Sequence, residues 1–164
     1  MPVHSFLRLP LALITIMALL LVLVTACGSP HSRQVRGELP SLSLDSLTRV
    51  DDQIEVTIGI RNHNDASLKV DSIQIALSID EMPATNLNDE QLDLKIGARG
   101  REVIQLVGQG DGKTHEKLDL LAENERASLP WSMDVDLSLD GRRTRQTEVT
   151  GFVHRVPGHP DRFR

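Results

Sequence analysis

The stretch LPWSMDVDLSL, Leu129 to Leu139, puts apolar side chains at Leu129, Trp131, Met133, Val135, Leu137 and Leu139 and polar or small ones at the positions between. A helix would spread those six around its circumference, whereas a strand sends all of them to one face, so the segment is a β-strand with one buried side. Asp140-Gly141 follows directly and is a hairpin signal, because the second position tolerates positive φ. Val149 and Val153 then supply a returning strand. Upstream the same period recurs. Ile54, Val56, Ile58 and Ile60 alternate with polar residues or glycine, and Ile73, Ile75, Leu77 and Ile79 do likewise, while Leu68 and Val70 lie in the opposite phase. That slip predicts a bulge or bend at Asp71-Ser72. Leu92, Leu94 and Ile96 alternate before a Gly97 to Gly100 turn leads into Val103 to Val107, and Leu42 with Leu44 supplies a first strand.

One segment departs from this rhythm. After Gly110-Asp111-Gly112, Leu118, Leu121 and Ala122 recur at helical spacing, with Asp111 or Thr114 as the N-cap. About seven strands separated by turn residues, with one short helix, predict an all-β, immunoglobulin- or fibronectin III-like antiparallel β-sandwich. Its expected core includes Ile58, Ile75, Leu77, Trp131, Val135 and Leu137. A domain of roughly 110 residues buries about two thirds of its unfolded surface, enough for a core without disulfides.

Composition narrows the function. Of 164 residues 40% are hydrophobic, 25% charged and only 2% aromatic, with a net charge of −5. Few aromatics argue against a surface that stacks bases or sugars, and negative charge argues against a nucleic-acid footprint. Leu11 to Val24 is uncharged and apolar, preceded by His4 and Arg8 and limited by Pro10, which is the build of a secretory signal and short of the roughly 20 apolar residues a spanning helix needs. Val24-Thr25-Ala26-Cys27 followed by Gly28 resembles the bacterial lipobox. The resemblance implies cleavage before Cys27, a thioether to diacylglycerol and a third acyl chain on the new amino terminus; several chains together anchor a protein stably. Cys27 is the only cysteine, which excludes a disulfide within one molecule. Gly28 and Ser29, with no Asp after the cysteine, resemble the outer-membrane sorting class if the host has two membranes.

The expected organisation is a signal peptide at 1–26, a lipidated flexible tether at 27–38, a sandwich at 39–155 and a basic C-terminal tail at 156–164. Residues 1–26 contain one arginine and no acid, so the mature chain is more acidic than the whole. The tether is rich in Gly, Pro and Ser and carries Arg33 and Arg36. Arg142, Arg143, Arg145, Arg155, Arg162 and Arg164 make the end of the chain basic, read as a solvated surface and frayed tail, with a lipid- or partner-docking patch as the alternative.

The order of elements resembles the late embryogenesis abundant (LEA) type 2 family, also called the WHy (water stress and hypersensitive response) domain, over roughly 39–153. The residues behind this are QIEVTIGI, the turn Asn62-His63-Asn64, SLKVDSIQIALSID, LPWSMDVDLSL and Gly151-Phe152-Val153. His63 stands where the family has proline, and Ala84-Thr85-Asn86 lacks the usual glycine. The resemblance implies a sandwich with no catalytic residues, protection of proteins or membranes during water stress, and a secreted or lipid-anchored form in bacteria.

Other constellations fall short on spacing. Gly108 to Thr114 imitates a phosphate-binding loop, but its first glycine would have to stand at Val107 and no parallel α/β setting surrounds it. Asp136, Ser138, Asp140 and Gly141 imitate the start of an EF-hand, yet the twelfth position is Thr147, with Glu148 one step late. His63, His115, His154 and His159 have no metal-ligand spacing, and no Gly-x-Ser-x-Gly elbow is present. His63 is expected in solvent and Trp131 in the core. The expectation is therefore a non-enzymatic envelope lipoprotein with no metal or cofactor, attached to membrane lipid through Cys27 and protecting clients under desiccation stress. The alternative is an accessory lipoprotein that binds one specific envelope partner in assembly or transport.

Overall fold

Alternation alone places a strand but not its neighbours, and it is pairing that makes Leu129–Leu139 central. The computed structural model describes residues 37–164, which form one unit. In chain order the elements are β1 (Ser41–Val50), β2 (Gln53–Arg61), β3 (Leu68–Ile79), β4 (Met82–Asp89), β5 (Leu94–Ile96), β6 (Arg101–Gln109), α1 (Gly112–Ala122), β7 (Leu129–Leu139), β8 (Arg142–Val153), β9 (Arg155–Val156) and β10 (His159–Phe163). They form an all-β sandwich of two antiparallel sheets. One has the order β6-β2-β1-β10-β9, the other β4-β3-β7-β8 with β5 paired to the start of β3.

The alternating residues meet between the sheets. Ile54, Val56, Ile58 and Ile60 of β2, Ile73, Ile75, Leu77 and Ile79 of β3, and the six apolar positions of β7 all belong to one buried cluster. Trp131 lies in it at 8% exposure, its ring against the α-carbon of Gly151 on the facing strand, where a Cβ would stand 2.5 Å from Trp131 Cζ2. Leu118 and Leu121 of α1 close the same core, and Asp111 is the N-cap, accepting from Thr114 N at 2.7 Å. Thr114, the other candidate cap, is itself buried in the helix.

Bulges explain where alternation slips. The register of β3 against β7 jumps between Val70 and Ser72, so Asp71 is the extra residue. Its carboxylate turns to the β7–β8 hairpin and accepts from Gly141 N at 2.7 Å, and the hairpin itself has Asp140 at φ 48° and Gly141 at φ 73°. A shift between Leu44 and Ser46 moves the inward phase of β1 from Leu42 and Leu44 to Leu47, which stands opposite Val56.

Three expectations are corrected. Among the described residues the sandwich has ten strands where about seven are expected: β4 is not among the strands expected from alternation, and it forms because Asp80 and Glu81, at φ 52° and 65°, make a tight two-residue turn without glycine. The tail at 156–164 is not frayed. The chain doubles back after Pro157-Gly158, β10 pairs with β1, and Phe163 is fully buried opposite Leu47. Accordingly the paired strands run past 155, to Phe163 at the end of β10.

Candidate functional site

The outward residues of β3, β4 and β7 line a concave surface. Ser72 and Gln74 of β3, Asn86 and Asn88 of β4, Glu90, and Asp134, Asp136 and Ser138 of β7 line two adjoining shallow depressions of about 330 and 480 Å³ that share Gln74 and Asp136. They converge because antiparallel register sets Gln74 opposite both Asn88 and Asp136. The trough offers amides, carboxylates and hydroxyls to water or to small polar solutes.

Elsewhere the charged groups hold elements together. Arg49 of β1 donates to Asp119 of α1 and, at 2.7 Å, to Asp161 of β10, and these carboxylates, Asp119 foremost, raise its pKa above the ordinary guanidinium value. Asp80 accepts from Lys117 at 2.6 Å and Arg126 at 3.0 Å, and the Lys117 bond is the main reason its carboxyl is held below the usual range. Asp71 is lowered in the same sense, chiefly by the Gly141 N–H.

At the end of the sandwich where the chain enters, Asn62 is fully buried. Its Nδ2 donates to the carbonyls of Ala66 and Gly97 at 2.8 and 2.9 Å, and its Oδ1 accepts from Asn64 N at 2.9 Å. The sequence marked this only as a turn; two asparagines flanking one residue were the available sign, since Asn side chains bond the backbone two residues on.

The constellations singled out by sequence do not assemble into a site. At the glycine-bearing loop the Asp111 carboxylate itself occupies the start of α1, the place an anion would take. Asp136 and Ser138 point to the trough, while Asp140 sits in the hairpin turn, so the three do not wrap a common centre. His63 Nε2 is 2.8 Å from Ser41 Oγ and half-buried rather than fully solvated; His154 Nδ1 is 3.1 Å from the Ala127 carbonyl, and His115 Nε2 is buried near Gly110. Among the described residues no three His, Cys, Asp or Glu side chains come together as a metal group, and no helix is long and apolar enough to cross a membrane. Val24, Thr25, Ala26 and Cys27 lie outside the described residues.

No protein-family model matches the chain, and no curated protein does. Among solved structures it is similar in chain path to a protein from Archaeoglobus fulgidus, at 10% identity and a TM-score of 0.45 over 73% of this chain and 98% of that one. A protein from Arabidopsis thaliana gives 11% identity and a TM-score of 0.45 over 75% of this chain and 84% of that one. A protein described as late embryogenesis abundant (LEA) gives 12% identity and a TM-score of 0.40 over 98% and 96% of the two chains. Each is a likeness of chain path alone.

Proposed function

We propose that this protein is a membrane-anchored envelope lipoprotein whose sandwich is a non-enzymatic, LEA type 2-like module protecting proteins or membranes during water loss. The observation that supports the shielding role is the division of its strands: apolar residues pack between the sheets, while the outward row of β3, β4 and β7 is built of carboxylates, amides and hydroxyls. A hydrated, net-acidic surface interposed between neighbouring proteins opposes their hydrophobic contact as water is withdrawn. Anchoring rests on Val24 to Cys27, with Gly28 to Glu38 as the spacer, and the outer membrane facing the periplasm is its place in a host with two membranes.

Drying a labile enzyme with residues 27–164, with a variant in which exposed acids are replaced by amides, and with an inert protein at equal mass tests the shielding. The native chain should preserve more activity than either; equal preservation by the inert protein rejects it. Anchoring is tested separately by mass spectrometry of the membrane fraction, where Cys27 should carry acyl chains and Cys27→Ala should accumulate unprocessed or unlipidated.

A further inference from the structure

We propose that the open edge of β6 is a homodimer interface, on which a second copy of this chain pairs its own β6 antiparallel about a two-fold axis at Gln105. β6 is nine residues long and pairs with β2 without a register shift; among the described residues no strand pairs with its other side. Just beyond the two ends of that register, Asn62 N donates to the Gly100 carbonyl and Gly110 N to that of Asp52. Hydrogen-bonded pairs alternate along an antiparallel ladder, so the even-numbered residues of β6 bond to β2, and Arg101, Val103, Gln105, Val107 and Gln109 turn their N–H and C=O groups to the open edge. Edge strands are ordinarily blunted by proline, lysine or a bulge. β4, the neighbouring edge of the other sheet, has Pro83 and a register shift. β6 has no such device, and its outward Val103 and Val107 are 49% and 54% exposed.

The order of side chains selects the occupant. Val103-Ile104-Gln105-Leu106-Val107 is nearly the same in both directions. Laid antiparallel on itself about Gln105, it sets Val103 against Val107 of the partner subunit, Ile104 against Leu106 of the partner subunit, and Gln105 against its own copy. A two-fold axis brings one residue against itself, where a charged side chain would repel its copy; the residue at this place is an uncharged amide. Arg101 falls opposite Gln109 of the partner subunit and Glu102 opposite Gly108 of the partner subunit, so no like charges face each other. Sliding the register by two residues sets Gln105 against a valine and leaves one end unpaired. The assembly is closed, because both β6 edges are used and the joined sheet ends on each side in β9, which has two residues. A foreign strand would need the open edge but not the near-palindrome. This inference is independent of the shielding and anchoring readings.

The test uses the full chain in excess detergent, with Cys27→Ala so that an introduced cysteine is the only thiol. Across a hydrogen-bonded pair the α-carbons are about 5.5 Å apart, within the span a disulfide bridges. Under mild oxidation Gln105→Cys should form a covalent dimer at least about tenfold faster than Gln109→Cys, whose copies lie at opposite ends of the paired strands. Adding Val103→Lys and Val107→Lys, which sets like charges against each other, should bring the Gln105→Cys rate down to that of Gln109→Cys, with an unchanged circular dichroism spectrum. In the native chain, without any substitution, raising the concentration should slow amide hydrogen exchange at Val103, Gln105 and Val107 more than at Ile104 and Leu106, whose N–H groups β2 already holds. Equal cross-linking at the two positions, a rate indifferent to the lysines, or exchange at Val103, Gln105 and Val107 that does not change with concentration would each overturn the proposal. Protection of β6 only when another protein is added would overturn it too, and would reassign the edge to a foreign strand.

Discussion

The side-chain amide of Asn64 holds both main-chain groups of Glu38: its Oδ1 accepts from Glu38 N and its Nδ2 donates to Glu38 O, each at 2.8 Å. An amide so placed imitates one rung of a β-ladder, so the incoming chain is fixed just before β1. Gly37 makes the approach possible, because a Cβ there would stand 2.7 Å from Asn64 Oδ1. Asn64 is set in turn by Asn62, whose Oδ1 accepts from the Asn64 main chain, and Arg99 N donates to the Asn64 carbonyl at 2.9 Å.

Asn62→Ala removes the donor to two carbonyls and the acceptor of a main-chain N–H in a place water does not reach. Leaving such groups unpaired should lower unfolding free energy by about 3 kcal/mol, read from urea denaturation. Asn62→Asp should be at least as costly, since it sets a second oxygen against the Ala66 and Gly97 carbonyls. A loss within experimental error for both would refute the role given to this side chain.

Phe163 distinguishes a closing strand from a tail. Phe163→Ala should cost about 3 to 5 kcal/mol as a buried aromatic, whereas substitution in a solvated tail is near neutral. Removing 159–164 should destabilise further by stripping β10 from β1. Thermal and urea melts of both variants decide the matter.

Two glycines on paired strands should respond differently to alanine. At Gly108 the added Cβ meets the Asn86 backbone oxygen and, at 2.8 Å, Leu87 Cδ2, neither of which moves freely in the core, so Gly108→Ala should cost about 1 to 3 kcal/mol. At Gly59 it meets the Arg101 guanidinium group and the Ser43 hydroxyl, the ends of movable side chains. Gly59→Ala should be the milder change, weakening mainly the surface contact of Arg101 with Asp45. Equal losses would contradict this assignment.

Acid should release the Asp80 clasp. Its folded-state pKa lies below the ordinary 3.8, so the unfolded chain takes up the proton first as pH falls. The stabilisation is fully present above the unfolded value and is lost as pH drops through the folded one, which places the effect below about pH 4. Asp80→Asn keeps a side chain that tolerates the positive φ of 52° but removes the charge facing Lys117 and Arg126. Its unfolding free energy should fall less steeply than that of the native chain between neutral pH and pH 3; parallel curves would show that Asp80 carries no such linkage.

What the sequence by itself determined is whatever depends on local repetition or on chain order. β2, β3 and β7 were legible because strand side chains alternate every two residues, and even the bulge at Asp71 was visible as a change of phase between Val70 and Ile73. Alternation also placed the core named from it, Ile58, Ile75, Leu77, Trp131, Val135 and Leu137. The lipobox reading of Val24 to Cys27 rests on a linear motif outside the described residues and belongs to the proposed function. Only tertiary structure decided β4, where an extra residue at the shift between Leu77 and Ser78 makes Ala84 and Thr85 consecutive buried positions and hides the alternation. It alone decided β10, which has a single large apolar residue and is a strand because β1 presents an edge to pair with. It alone decided that Asn62 is buried and fully bonded, because one of the carbonyls it satisfies, that of Gly97, lies far along the chain, and nothing local to an asparagine says which distant backbone group folding will bring to it.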